Sequence, residues 1–125
     1  MQKVYKIFVI ERGELRNLFK SIEGSRTIEF DRWLRAENKM ARDGGNSRKY
    51  LTGIHCVETL DNAIEYLDNF YTDKDRLIVE CLADDLRTKP TNDKVKLADW
   101  LYVPKKSFRE ALVEQFDSIL NEINI

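Results

Sequence analysis

The sequence predicts an α+β domain: a mostly antiparallel sheet of about five strands, a central helix over residues 59–71 and a long C-terminal helix over residues 107–123. Three observations carry this expectation. Lys3–Ile10 (K-V-Y-K-I-F-V-I) is a β-branched and aromatic run with no breaker, as expected of a strand covered on both faces. Residues 50–83 read as strand, capped helix and second strand. Ser107-Phe108-Arg109-Glu110 has the form of a capping box, followed by Phe108, Leu112, Phe116, Ile119, Leu120 and Ile123 at helical spacing.

The remaining elements follow in order. Glu11–Glu14 contains a glycine and reads as a turn; Leu15–Ile22 fits either a helix, with Leu15, Leu18, Phe19 and Ile22 at helical spacing, or a hairpin partner for the first strand, which the short glycine turn favours. Gly24-Ser25-Arg26 signals a second turn, and Thr27–Phe30 alternates like a short strand. Asp31–Met40 has helical composition, with Asp31 as its N-cap. Arg42–Lys49 (R-D-G-G-N-S-R-K) is the clearest loop, because its glycines and short polar residues favour turns and leave little to bury. Tyr50–Val57 is the next strand, and Thr59 caps the central helix, whose stripe is Leu60, Ala63, Ile64, Leu67 and Phe70 or Tyr71. A strand over 76–83 leads to a loop around Lys89–Asp93. Val95–Val103 then alternates as a strand with a partly aromatic second face, ended by Pro104.

At 125 residues the chain fits one domain, residues 1–125. No apolar run approaches the roughly 20 residues that cross a bilayer, and Met1–Lys6 has no secretory character, so a cytoplasmic protein with no membrane partner is expected. In that compartment Cys56 and Cys81, both on expected strands, are buried reduced thiols. No Cys/His spacing matches a zinc site, and neither a metal nor a cofactor is expected. The net charge is −1, but Lys and Arg dominate residues 1–50 and acids dominate the remainder.

Few residues suggest chemistry. His55, the only histidine, neighbours Cys56 on a strand, so the two side chains point to opposite faces and cannot act as a base–nucleophile pair. It is the one candidate for a general base. Asp84, Asp85 and Glu80 have no recognisable metal-ion order, and Asp99 falls in the apolar register of its strand, where it needs an arginine partner or an edge position. The Gly44-Gly45 loop lacks both common phosphate-binding patterns. The richer feature is cationic and aromatic: Arg26, Trp33, Arg35, Arg42, Arg48, Lys49 and Tyr50 form the candidate binding surface, since arginine and aromatic residues anchor interfaces. Such residues also hold phosphates and stack bases, which leaves nucleic acid or a nucleotide as alternative partners.

Leu18–Arg26, Trp33–Glu37 and Tyr50–Val57 together resemble small uncharacterised proteins encoded by bacteriophages and mobile elements. The resemblance implies an accessory protein that binds or inhibits a host or defence protein. The segment from His55 to Glu80 resembles part of the ADP-ribosyltransferase-like fold of RNA 2′-phosphotransferases, which implies an active or degenerate ADP-ribosyl or nucleotide-binding enzyme. This chain has Lys20-Ser21 where that family carries a His-Gly pair, so only His55 maps onto a family histidine. The leading expectation is a non-catalytic binding protein.

Overall fold

A computed structural model describes residues 1–11, 14–17, 28–42, 49–68 and 75–123, with side chains to Gln115 in the last segment. The strands are β1 (Gln2–Glu11), β2 (Glu14–Asn17), β3 (Trp33–Arg35), β4 (Met40–Ala41), β5 (Tyr50–Leu51), β6 (Ile54–Val57), β7 (Asp75–Lys89) and β8 (Asn92–Tyr102). Among the described residues two helices accompany them, α1 (Leu60–Leu67) and α2 (Lys105–Ile123).

The long strands β7 and β8 organise the molecule. β7 pairs antiparallel with β1 through its first half, from Asp75↔Ile10 to Ala83↔Gln2, and with β8 through its second half, from Leu82↔Tyr102 to Lys89↔Asn92. The free edge of β8 takes β6 over residues 95–98 and β3 over residues 100–102. A single pair, Tyr5↔Val57, joins β6 back to β1. β1, β7, β8 and β6 therefore form a closed ring, with β2 added to β1, β3 added to β8, and β4–β5 standing apart as a two-stranded ribbon.

Asp85 allows β7 to serve both partners. Its φ of 57° is left-handed in mid-strand, a conformation that aspartate tolerates better than most side chains. Strict alternation would send Ala83 and Leu86 to opposite faces, yet both pack against the same core. The kink resets the alternation and turns the strand around the ring. That core contains Val4 and Phe8 of β1, Leu77, Val79 and Cys81 of β7, Cys56 of β6 and Leu101 of β8, and Ala111 of α2 closes over it. A second, smaller core lies on the other face, where Ala63, Tyr66 and Leu67 of α1 cover Ile7, Val57, Ile78 and Val95.

These findings correct the expected α+β layout of about five strands, a central helix at 59–71 and a long C-terminal helix at 107–123. An antiparallel sheet of six strands plus a ribbon dominates, and the helices are subordinate. Asp31–Met40 is extended rather than helical. Asp31 adopts a φ of 58°, its N–H donates to Val103 O (3.0 Å), and the chain then pairs along β8. The strand expected to end at residue 83 runs on to Lys89, and the loop expected around Lys89–Asp93 narrows to the turn at Pro90-Thr91. Tyr50–Val57 is two short strands separated at Thr52-Gly53. The central helix has only about two turns. Thr59 does cap it, Oγ1 accepting from Asn62 N at 3.1 Å, but Leu60 and Ile64 are exposed, since Ala63 is the residue that meets the sheet. α2 starts two residues before the expected capping box, where Asp31 Oδ1 accepts from Lys105 N (3.0 Å) and Pro104 O from Phe108 N (3.2 Å). About three turns of it, to Gln115, have described side chains.

Gln115 makes an unusual contact. Its carboxamide accepts from Ile78 N (2.9 Å) and donates to Ile78 O (2.7 Å). These are the two bonds that a residue on a neighbouring strand would make, and they occupy the edge of β7 opposite β1.

Candidate functional site

β3 and β8 place four side chains together on the outer face of the sheet. The register pairs Trp33 with Tyr102 and Arg35 with Trp100, while Leu34 and Leu101 between them turn toward the core. The Trp33 and Tyr102 ring centroids lie 5.5 Å apart at 57°. The Arg35 guanidinium sits 5.6 Å from the centre of the Trp100 ring, a cation–π contact. Asp84 lies opposite Trp100 on the other side and forms an ion pair with the amino group of Met1 at 2.9 Å. The result is a strip of half-buried aromatic rings with an exposed arginine at one edge and a carboxylate at the other.

A polar node holds this strip in place. Arg87 donates to Asp99 Oδ1 (2.6 Å) and to Thr52 O (2.7 Å). Asn38 Nδ2 also donates to Asp99 (3.2 Å), and Ala36 N donates to Asp99 O (2.8 Å). The Arg87 hydrogen bond, chiefly, holds the Asp99 carboxyl below its usual range. Thr52 Oγ1 accepts from Lys39 N (2.9 Å) and donates to Glu37 O (3.1 Å), so the segment after β3 is tied to the rim of the ring. Gly53 is needed there, because a Cβ would stand 2.9 Å from Ala98 O and 3.1 Å from Leu97 Cβ.

The expected binding residues separate into groups. Trp33 and Arg35 are brought together. Arg42 and Lys49 are exposed beside the β4–β5 ribbon, and Tyr50 is buried within it, beneath the Lys89 ammonium (6.0 Å to the ring centre). Arg26 and Arg48 lie outside the described residues, as does Lys20-Ser21. His55 is half-buried on β6 opposite Leu97, and its carbonyl accepts a hydrogen bond from Lys6 Nζ (2.8 Å). Trp100 and Tyr102 complete the strip, and they were overlooked as site residues. Their alternation in the sequence marks an aromatic face, but nothing local reveals which strand lies beside it.

Sequence reasoning also missed Lys6. It lies between Val4 and Phe8 on the inward side of β1, only 8% exposed. Continuing the Tyr5↔Val57 pairing sets it across from Cys56, and the β1–β7 register sets it across from Val79 with Cys81 one diagonal step away. Burial lowers the Lys6 ammonium below its ordinary value of 10.5. Burial likewise pushes the Cys56 thiol up to about 11 and the Cys81 thiol higher still. The free cysteines are therefore poor nucleophiles, since the thiolate is the reactive form. Among the described residues no group of His, Cys, Asp and Glu could hold a metal ion, and no helix is long and apolar enough to cross a membrane. Compared with family models, curated proteins and solved structures, the chain matches none of them.

Proposed function

We propose that this protein is a non-catalytic binding protein that recognises another protein through the strip formed by Trp33, Arg35, Trp100 and Tyr102. One observation carries the reading: two paired strands set two contacting pairs, Trp33 with Tyr102 and Arg35 with Trp100, side by side on an outward face. Pre-ordered aromatic and arginine side chains lose little entropy on binding, and they supply most of the energy of protein interfaces. Mixed charge favours a protein over a polyanion. Asp84 adjoins the same face, and Arg35 already covers an indole face on which a base would stack. The resemblance to phage and mobile-element proteins supports a host or defence protein as the partner.

The test compares a tagged wild-type chain with a Trp33→Ala/Arg35→Glu variant in pull-down from a bacterial lysate. The expected result is a protein retained by the wild type and lost by the variant at unchanged melting temperature. Retention by both removes the strip from the interface. Capture of nucleic acid, weakened steeply by salt, transfers the function to that class.

A further inference from the structure

The outer edge of β3 has a hydrogen-bonding pattern that can be read from its inner edge. Ala36 N donates to Asp99 O at 2.8 Å, in the same register as Trp33↔Tyr102, Leu34↔Leu101 and Arg35↔Trp100. Hydrogen-bonded and non-hydrogen-bonded pairs alternate along an antiparallel ladder. Leu34 therefore shares backbone bonds with Leu101, whereas the N–H and C=O groups of Trp33 and Arg35 point away from β8. Among the described residues no strand pairs with that edge, where β3 ends the sheet. Leu34 remains partly exposed beside the edge while packing on the core.

We infer that the β3 edge is a self-complementary docking site whose occupant is a second copy of this chain, added antiparallel about a two-fold axis at Leu34. In that register Trp33 of one copy faces Arg35 of the other, and each such pair exchanges both of its outward backbone bonds. The side-chain match is favourable on both sides of the axis. Each arginine meets an indole, the contact that Arg35 already makes with Trp100 inside one copy. The two Leu34 side chains meet at the axis and bury their remaining exposed surface. Glu29 and Glu37, which could oppose the approach, are already engaged by Arg32 and Lys39. A two-fold contact of this kind uses the same patch on both subunits and closes on itself. It also joins the two aromatic strips into one continuous face. The inference does not rest on the proposed function, because its readout is self-association with no other protein present.

Sedimentation velocity on the purified full chain, over concentrations up to about 1 mM, the weak end of specific association, tests it. The wild type is expected to shift from monomer to dimer. Arg35→Pro removes an outward N–H that β8 does not use and should remain monomeric with its fold retained. In a second measurement, Leu34→Cys faces its own copy across a non-hydrogen-bonded pair, about 4.5 Å between Cα atoms, which is within disulfide range. Mild oxidation should therefore yield a covalent dimer on a non-reducing gel. The buried Cys56 and Cys81 provide the background in the wild type. A wild type that stays monomeric, an Arg35→Pro variant that still dimerises, or a Leu34→Cys chain that does not cross-link would each overturn the inference.

Discussion

Lys6 and Arg87 are both cations drawn into the body of a small sheet protein, and their surroundings differ in kind. Arg87 meets a carboxylate and a carbonyl, and its side chain stays about one-third in contact with solvent. Lys6 meets one carbonyl, two protonated thiols and the face of a phenyl ring, with its Nζ 5.5 Å from the Phe8 centroid. The first cation is a tie that fixes β7, β8 and the β5–β6 break relative to one another. Among the described residues the second has no counter-charge, and its burial works against the ammonium form. Whether a buried charge holds a fold together or weighs on it depends on what completes its hydrogen bonds, not on depth alone.

Four substitutions bear on this contrast, beginning with the largest expected effect. Gly53→Ala inserts a methyl group against the backbone oxygen of Ala98 and beside Arg87 Nη2, 3.2 Å away. Because a backbone atom cannot swing aside, a loss of about 2–3 kcal/mol is expected in urea unfolding. Arg87→Met leaves Asp99 without its principal partner, and its cost, reduced by partial exposure, is about 1–2 kcal/mol. This variant also tests a pH effect. The folded carboxyl of Asp99 titrates below its ordinary value of 3.8, so its contribution is complete above that value and disappears as pH falls through the depressed one. The gap between wild type and Arg87→Met should close in acid.

Lys6→Met should act in the opposite direction. Relief of desolvation outweighs the lost bond to His55 O, and stability is expected to rise by about 1–2 kcal/mol at neutral pH. Here too the sign is fixed by the shift. The folded amine titrates below 10.5, the unfolded one near it, so the unfolded chain binds more protons in between and wild-type stability climbs with alkalinity over that window. The advantage of Lys6→Met should shrink as pH approaches 10.5 from below, and a constant advantage would show that charge is not the cause. Smallest is Thr52→Val, which removes the two hydroxyl bonds to Lys39 N and Glu37 O. About 1 kcal/mol is expected, together with faster hydrogen exchange at the Lys39 amide.

The difference between these regions also explains what the sequence disclosed. The alternation of β8 and the capping role of Thr59 are local, and both were legible. That Asp99 required an arginine partner or an edge position was legible as well, since a carboxylate in an apolar register must be answered, and Arg87 is the answer the fold supplies. Asp31–Met40 misled because its composition suits a helix, whereas the register along β8 and the left-handed Asp31 are tertiary facts. Asp84-Asp85 looked like a strand end for a similar reason: a kink within a continuing strand has the same composition as a loop. Half of the aromatic strip was anticipated in Trp33 and Arg35, and the other half required knowing that β3 lies beside Trp100 and Tyr102. Lys6 was concealed by its neighbours, because an apolar run tolerates one lysine in the sequence without indicating which way it points.

The carboxamide of Gln115 stands where another polypeptide could otherwise lie. If the last helix were cut away or undocked, the edge of β7 would present the outward N–H and C=O of Ile78 without their carboxamide, an opening that can recruit an extended chain without regard to its side chains. The tail would then be a chaperone carried in cis, and its loss would be felt first as turbidity rather than as a lower melting point.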